Sequence, residues 1–199
     1  MTDVVADDGK TRCGWALAAG TRPPPADSIM YRDYHDTEWG RPLHDAQAMF
    51  ERMSLEAFQS GLSWLIILRK RENFRRAFKG FDVAKVARFT DRDVARLMAD
   101  EGIVRNRAKV EATIANARLA ADLDVDLDEL LWSFAPLARP RPKDLSDVPA
   151  VSPESTAMAK ELKRRGFRFV GPTTAYALMQ ATGMVDDHVA ACWVPARGV

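Results

Sequence analysis

Cys13 and His35 stand near the start of this 199-residue chain, and His188 and Cys192 near its finish. They are both of the cysteines and two of only three histidines. His188 and Cys192 are spaced i, i+4, which on a helix puts both side chains on one face, a turn apart. Such a half-site suits a tetrahedral zinc ion. The wider spacing of Cys13 and His35 sets no geometry of its own. A metal held by all four would tie the N-terminal segment to a C-terminal helix and so restrict the folds open to the chain. Two buried apolar cysteines satisfy the same spacing, because free cysteine is among the most buried residue types.

The length allows one good core or two small lobes. Hydrophobic residues at 47% and charged residues at 29% are ordinary for a globular protein. A net charge of +1 gives no global basic field, yet a local basic face is still compatible with nucleic acid. Two cysteines make no secreted disulfide framework. No apolar run approaches the roughly 20 residues that span a bilayer, and the acidic, polar start has no signal-peptide core. A cytoplasmic, monomeric protein without membrane contact is expected.

Residues 1–10 read as a disordered tail, and the Pro23-Pro24-Pro25 run excludes a continuous helix over residues 1–25. The pattern turns helical from Asp45. Helices are expected toward Gly61, from Trp64 to Phe78, over 82–89 and 91–101 with aspartate caps, over 106–123, and over 128–134. Four prolines within 136–149 mark a connector, the best candidate for a lobe boundary in a domain spanning 11–199. A helix then begins with Ser152 as cap and Pro153 at its first position, and ends in Lys163, Arg164 and Arg165 before Gly166. Another runs from Pro172 to Ala181. Asp186 or Asp187 would cap a last helix carrying His188 and Cys192. No hairpin signal between strands is evident. The fold class is all-α.

Residues 166–171, Gly-Phe-Arg-Phe-Val-Gly, join two of these helices. Backbone amides in such a turn, at the N-terminus of the second helix, form a place for a DNA phosphate. A side chain at Gly171 would block close approach of the backbone. Lys163, Arg164, Arg165 and Arg168 bring positive charge beside it; Arg105, Arg107 and Lys109 form a second basic group, either a further contact or simply the start of a helix. A helical hairpin with a solvated basic end has the same pattern.

Arg12-Cys13-Gly14-Trp15, the run Tyr31-Arg32-Asp33-Tyr34-His35-Asp36-Thr37-Glu38-Trp39-Gly40, Leu55-Glu56, Gln59 and Gly61-Leu62-Ser63-Trp64 together resemble the DNA-3-methyladenine glycosylase I family. Trp132-Ser133-Phe134, the 162–171 segment, Met179-Gln180-Ala181 and Asp187-His188 extend the resemblance across nearly the whole chain. It implies a helix-hairpin-helix DNA glycosylase fold, with Gly166, Phe167, Arg168, Val170 and Gly171 in the DNA-binding hairpin. It also implies one structural Zn2+ per chain, held by Cys13, His35, His188 and Cys192. Four protein ligands leave no open position, so the ion would serve the fold and not the chemistry.

The implied activity is excision of 3-methyladenine from alkylated double-stranded DNA by hydrolysis of the N-glycosidic bond. The base is flipped from the stack into a pocket. Methylation at N3 makes it cationic and already a good leaving group. The pocket then needs aromatic faces, an acceptor and exclusion of water. Trp15, Tyr31, Tyr34, Trp39 and Trp64 supply rings, each worth ~0.5–2 kcal/mol to a stacked cation. Glu56 lies in an apolar stretch and calls for a partner. The resemblance supplies one: the extrahelical base, bonded by Glu56 and the Tyr34 hydroxyl. Leu62 is either a wedge for the gap in the duplex or a leucine packed locally in its turn. Related glycosylases place a catalytic aspartate after the hairpin; here Asp186 and Asp187 read as caps, with Asp187 a partner of His188. No lysine follows Lys163, so a Schiff-base nucleophile and strand cleavage are not expected. A non-catalytic damage-binding protein and a zinc-stabilised helical scaffold are the competing readings. The set of Glu56, Tyr34 and Trp64 argues against the first, and the basic hairpin with the aromatic set against the second.

Overall fold

The computed structural model describes residues 4–16 and 26–196. The proline run at 23–25 lies outside them. The chain divides into two compact units: residues 1–42, 135–150 and 179–199 form the first, and 43–134 with 151–178 form the second.

In the first unit, β1 (Val4–Val5) pairs antiparallel with β2 (Thr11–Arg12), Val4 opposite Arg12. Residues 4–10 are therefore not the tail that their composition indicates. Polar residues alone would not order them; Arg12 does. Its guanidinium is buried and donates to both Asp8 oxygens, at 2.9 and 2.8 Å, and to Asp36 at 2.7–3.0 Å. Met1–Asp3 lie outside the described residues. Next comes α1 (Ala26–Thr37), which buries Ser28, Tyr34 and His35. The proline-rich 136–149 segment belongs to this unit, where Arg139 and Arg141 reach Asp187 and Asp186.

The second unit is helical. It holds α2 (Ala46–Gln59), α3 (Trp64–Ala77), a single 3-10 turn (Lys79–Phe81), α4 (Val83–Ala87), α5 (Asp91–Ala99), α6 (Arg107–Ala121), α7 (Leu127–Trp132) and α8 (Pro153–Arg164). The starts follow local chemistry: Asp45, Asp82, Asn106 and Ser152 accept backbone N–H bonds from the first turns of α2, α4, α6 and α8. At α5 the cap is Thr90 and not Asp91; the Asp93 carboxylate turns back to accept the Thr90 N–H at 3.0 Å. The core is aromatic. Phe58 packs on Phe74 with centroids 4.7 Å apart, and Phe78 stacks on Phe81 at 5.3 Å. Trp132 is a packing residue, bonded to the Leu43 carbonyl and stacked on His44.

α9 (Pro172–Ala181) follows the 166–171 turn, its first helical bond running from the Ala175 amide to the Gly171 carbonyl. The expected last helix is absent: residues 182–196 form turns. Their amides are drawn to other segments, Ala190 N–H to the Pro142 carbonyl and Trp193 N–H to the Thr11 carbonyl. Among the described residues the chain is otherwise helical, the short β1–β2 ladder being the one sheet. No helix among them is long and apolar enough to cross a membrane.

Candidate functional site

The first unit gathers Cys13, His35, His188 and Cys192, all buried, with their ligand atoms within 4.8 Å of one another. His188 and Cys192 meet across a turn, closed by the Cys192 amide on the Val189 carbonyl, rather than on a helix face. Cys192 Sγ lies 3.6 Å from His35 Nε2 and 3.6 Å from His188 Nδ1; Cys13 Sγ lies 3.7 Å from His188 Nδ1. Bond lengths of about 2.3 Å to sulfur and 2.0–2.1 Å to nitrogen give a tetrahedral S···N edge of about 3.6 Å. The three S···N distances match that edge, so the cluster has the donor set and spacing to hold a metal ion.

The opposite ring nitrogens are committed. His35 Nδ1 donates to Asp36 Oδ1 at 2.8 Å, and His188 Nε2 donates to the Trp39 carbonyl at 3.2 Å. A carbonyl and a carboxylate accept only, so both imidazoles turn a bare nitrogen to the sulfurs. The Val189 amide donates to Cys13 Sγ at 3.4 Å. The Cys192 thiol is held far below its usual range, first by its hydrogen bond with Cys13 and then by His188 and His35, against the effect of burial. Asp36 also titrates low: burial opposes this, but Arg12, His35 and the Trp193 indole overcome it. Gly40 completes the site, because a side chain there would begin 3.0 Å from His188 Nε2. Trp193 is 36% exposed, under the Lys10 amine and bonded to Asp36.

Rings cluster against these ligands. Trp15 is edge-on to Trp39 at 4.9 Å, to Tyr31 at 5.5 Å and to His35 at 5.1 Å, and lies 6.5 Å from Tyr34. Tyr31, Tyr34 and His35 come from α1, a helix that sequence periodicity misses because its polar run Arg32-Asp33 and Asp36-Thr37 interrupts any apolar stripe. Asp187 is buried and bonded to Arg139 at 2.8 Å and to Gln180 at 3.0 Å. Asp186 bonds Arg141 and accepts the His188 N–H at 3.3 Å. The contact to His188 is therefore made by Asp186, and neither aspartate caps a helix.

In the second unit, Glu56 occupies the last turns of α2 and is buried. It lines a small apolar cavity with Met53, Leu162, Val170, Thr174, Ala175 and Leu178. Among the described residues nothing hydrogen-bonds its carboxyl. Burial pushes that carboxyl up to about 7, opposed only by the Arg52 charge. Trp64, buried at the first position of α3, lies beneath the Arg52 guanidinium at 5.8 Å. Leu62 is 38% exposed in the turn between α2 and α3.

The 166–171 turn follows α8. Gly166 takes φ 95°, open to glycine at no steric cost, and Phe167 and Val170 are buried beneath the turn. A side chain at Gly171 would meet nothing within 4 Å, so the backbone there faces open space. The basic charge beside it is less free than the sequence implies. Arg164 and Arg165 both bond Glu161, and Arg165 also Asp124; Lys163 and Arg168 remain exposed. Of the second basic group, Lys109 is buried and cannot be a surface contact.

Residues 25–195 match the family model described as methyladenine glycosylase. The chain is 42% identical over 188 residues to a DNA-3-methyladenine glycosylase of Haemophilus influenzae, covering 92% of this chain and 96% of that protein. A crystal structure of a 3-methyladenine DNA glycosylase I superposes with a TM-score of 0.84 at 38% identity, over 93% of this chain and 100% of that one. A Staphylococcus aureus structure, described as the basis of 3-methyladenine recognition by that enzyme, has a TM-score of 0.81 at 35% identity, over 85% of this chain and 93% of its own.

Proposed function

The chain belongs to the methyladenine glycosylase family, and from that premise we propose that it excises 3-methyladenine from alkylated double-stranded DNA as a monofunctional hydrolase. One observation carries the reading on to chemistry: Glu56 is a buried carboxyl with no hydrogen-bond partner among the described residues, which stability alone would not retain.

The flipped lesion carries a positive charge on its purine. Glu56, as the carboxylate, accepts a hydrogen bond from it and balances that charge. The Tyr34 hydroxyl supplies a second bond. Trp15, Tyr31, Trp39 and Trp64 provide faces on which the cation rests. The N-glycosidic bond breaks with its electron pair leaving on the base, which departs neutral and needs no proton. Water adds its oxygen to the sugar carbon of the oxocarbenium-like state and gives its proton to solvent, leaving an abasic site. Strand cleavage is not part of the reaction, as no lysine follows Lys163. Gly166, Phe167 and Arg168, whose amides bond within the protein, shape the hairpin; Val170 and Gly171 turn theirs to a phosphate of the duplex, and Leu62 fills the vacated stack.

Cys13, His35, His188 and Cys192 hold one structural Zn2+. Two sulfurs and two nitrogens at tetrahedral spacing favour zinc over the hard cations, which prefer oxygen. The ion supplies cross-linking of distant segments; Asp36 and the Trp39 carbonyl orient the imidazoles around it.

The test is release of free 3-methyladenine from methylated duplex DNA by the intact protein and by Glu56→Gln. Release by the first and at least a hundredfold slower release by the second is expected. No release by the intact, metal-loaded protein sinks the reading.

A further inference from the structure

Helix α6 carries two buried polar side chains whose partners are the two turns assigned to DNA. Lys109, 7% exposed, donates from Nζ to the Phe58 carbonyl at 2.9 Å and the Ser60 carbonyl at 2.6 Å. These carbonyls flank that of Gln59, which takes the Leu62 N–H, at the C-terminus of α2, where helix carbonyls lack amides of the next turn. A buried amine there is costly, and burial does lower the Lys109 titration point. Asn116, 3% exposed, grips the hairpin with both ends of its amide: Nδ2 donates to the Arg168 carbonyl at 3.0 Å, and Oδ1 accepts the Arg168 N–H at 2.9 Å. One face of α6 serves both, because residues seven apart return to nearly the same azimuth after two turns, roughly 10 Å along the axis. Thr113 lies between them, its hydroxyl on the Lys109 carbonyl at 2.9 Å, and Leu119 supports Gly166 from the next turn.

We propose that Lys109 and Asn116 are positioning residues that make α6 a ruler between the Leu62 turn and the 166–171 hairpin, so that both meet one duplex in register. This rests on the glycosylase reading above. Neither side chain needs to touch DNA. Loop turns of this kind are soft by default, and a 1 Å error in one contact relative to the other is enough to lose much of the gain from making both. An apolar side chain of the same volume would fill the space but leave the Arg168 N–H and carbonyl unpaired, so the amide is what fixes this residue of the hairpin in place.

The test uses the full zinc-loaded chain as Asn116→Leu, Asn116→Asp and Lys109→Met. Three quantities are read beside the melting temperature: affinity for a duplex with a tetrahydrofuran abasic analogue, affinity for free 3-methyladenine, and kcat and KM for excision. Asn116→Leu is expected to weaken duplex binding and raise KM tenfold or more, with kcat and free-base affinity within twofold of the parent. Asn116→Asp keeps the acceptor and should lie between. Lys109→Met should also lower kcat, since Glu56 sits on the helix end it secures. Unchanged duplex affinity in folded Asn116→Leu overturns the proposal, as does a parallel fall in free-base and duplex affinity. If Asn116→Leu does not fold, Asn116→Asp decides by the same comparison. Failure of the parent protein to release base would overturn the glycosylase reading alone, because the duplex-binding comparison does not depend on turnover.

Discussion

His35 donates from Nδ1 to Asp36 Oδ1 at 2.8 Å, so the carboxylate that neutralises buried Arg12 also fixes the tautomer of an imidazole in the Cys/His cluster. Chain entry, charge balance and ligand orientation meet in a single side chain. The β1–β2 ladder, two residues long in each strand, is held by that same ion cluster.

The metal site should respond at this shared carboxylate. Asp36→Asn keeps the shape but weakens the acceptor for His35 and leaves Arg12 with Asp8 alone. Zinc affinity is expected to fall about 10–100-fold. Cys192→Ser should lose the ion and melt at lower temperature. Elemental analysis should find one zinc per parent chain, and chelation should reproduce the loss of stability; an unchanged melting point in Cys192→Ser would return the cysteines to plain packing.

Glu56 sets a pH dependence of stability. Its folded-state carboxyl titrates at about 7, above the ordinary 4.5. Between these values the folded protein keeps a proton that the unfolded chain has released, so stability falls as pH rises through the window, by about 3 kcal/mol in all. Glu56→Gln cannot ionise. It should therefore be more stable than the parent at pH 8 and similar near pH 4.5, as read by urea denaturation at both. In the same window kcat/KM of the parent should rise with pH toward a plateau above 7, because the carboxylate is the useful form.

Two glycines of the hairpin should separate stability from DNA affinity. Gly166→Ala forces a side chain onto φ 95° and within 3.4 Å of Leu119, at about 1–2 kcal/mol. Gly171→Val has no such conflict at its Cβ, which enters open space. It should melt like the parent and lose duplex affinity at least tenfold. Equal duplex binding by Gly171→Val would mean that the turn does not face the phosphate.

Gly183→Ala should be among the most damaging small substitutions. With φ 73°, its new methyl would sit 2.6 Å from the Arg41 carbonyl carbon, against backbone that cannot yield cheaply. Strain and overpacking together cost about 3 kcal/mol or more. Thermal denaturation checks this, and Gly183→Asn, which tolerates the same φ, should not rescue it.

Much of the second unit is legible in the sequence, because its helices announce themselves through local chemistry: Asp45, Asn106 and Ser152 cap, Pro153 starts and Gly166 stops. The first unit is not legible in that way. α1 has too few apolar residues to show a period, and β1–β2 is too short for one. The turn holding His188 and Cys192 mimics a helical spacing while spending its amides on Pro142 and Thr11. Those partners lie far off in the chain, where no window of neighbouring residues can reveal them. The Cys13, His35, His188 and Cys192 cluster was readable because its residue types are rare. The roles of Lys109 and Asn116 were not, since a lysine and an asparagine on a helix look like solvent residues until their burial is known.

The first unit is assembled from three separated stretches, and Cys13 meets His188 across 175 positions of sequence. If the proposed zinc is bound, a nascent chain emerging from the ribosome offers it only two donors, Cys13 and His35, for most of its synthesis. Tight capture waits until residues beyond Cys192 have cleared the tunnel. On the proposed reading, metal loading would be a late checkpoint on manufacture, closing a loop of 175 positions after the helices of the middle have had time to gather.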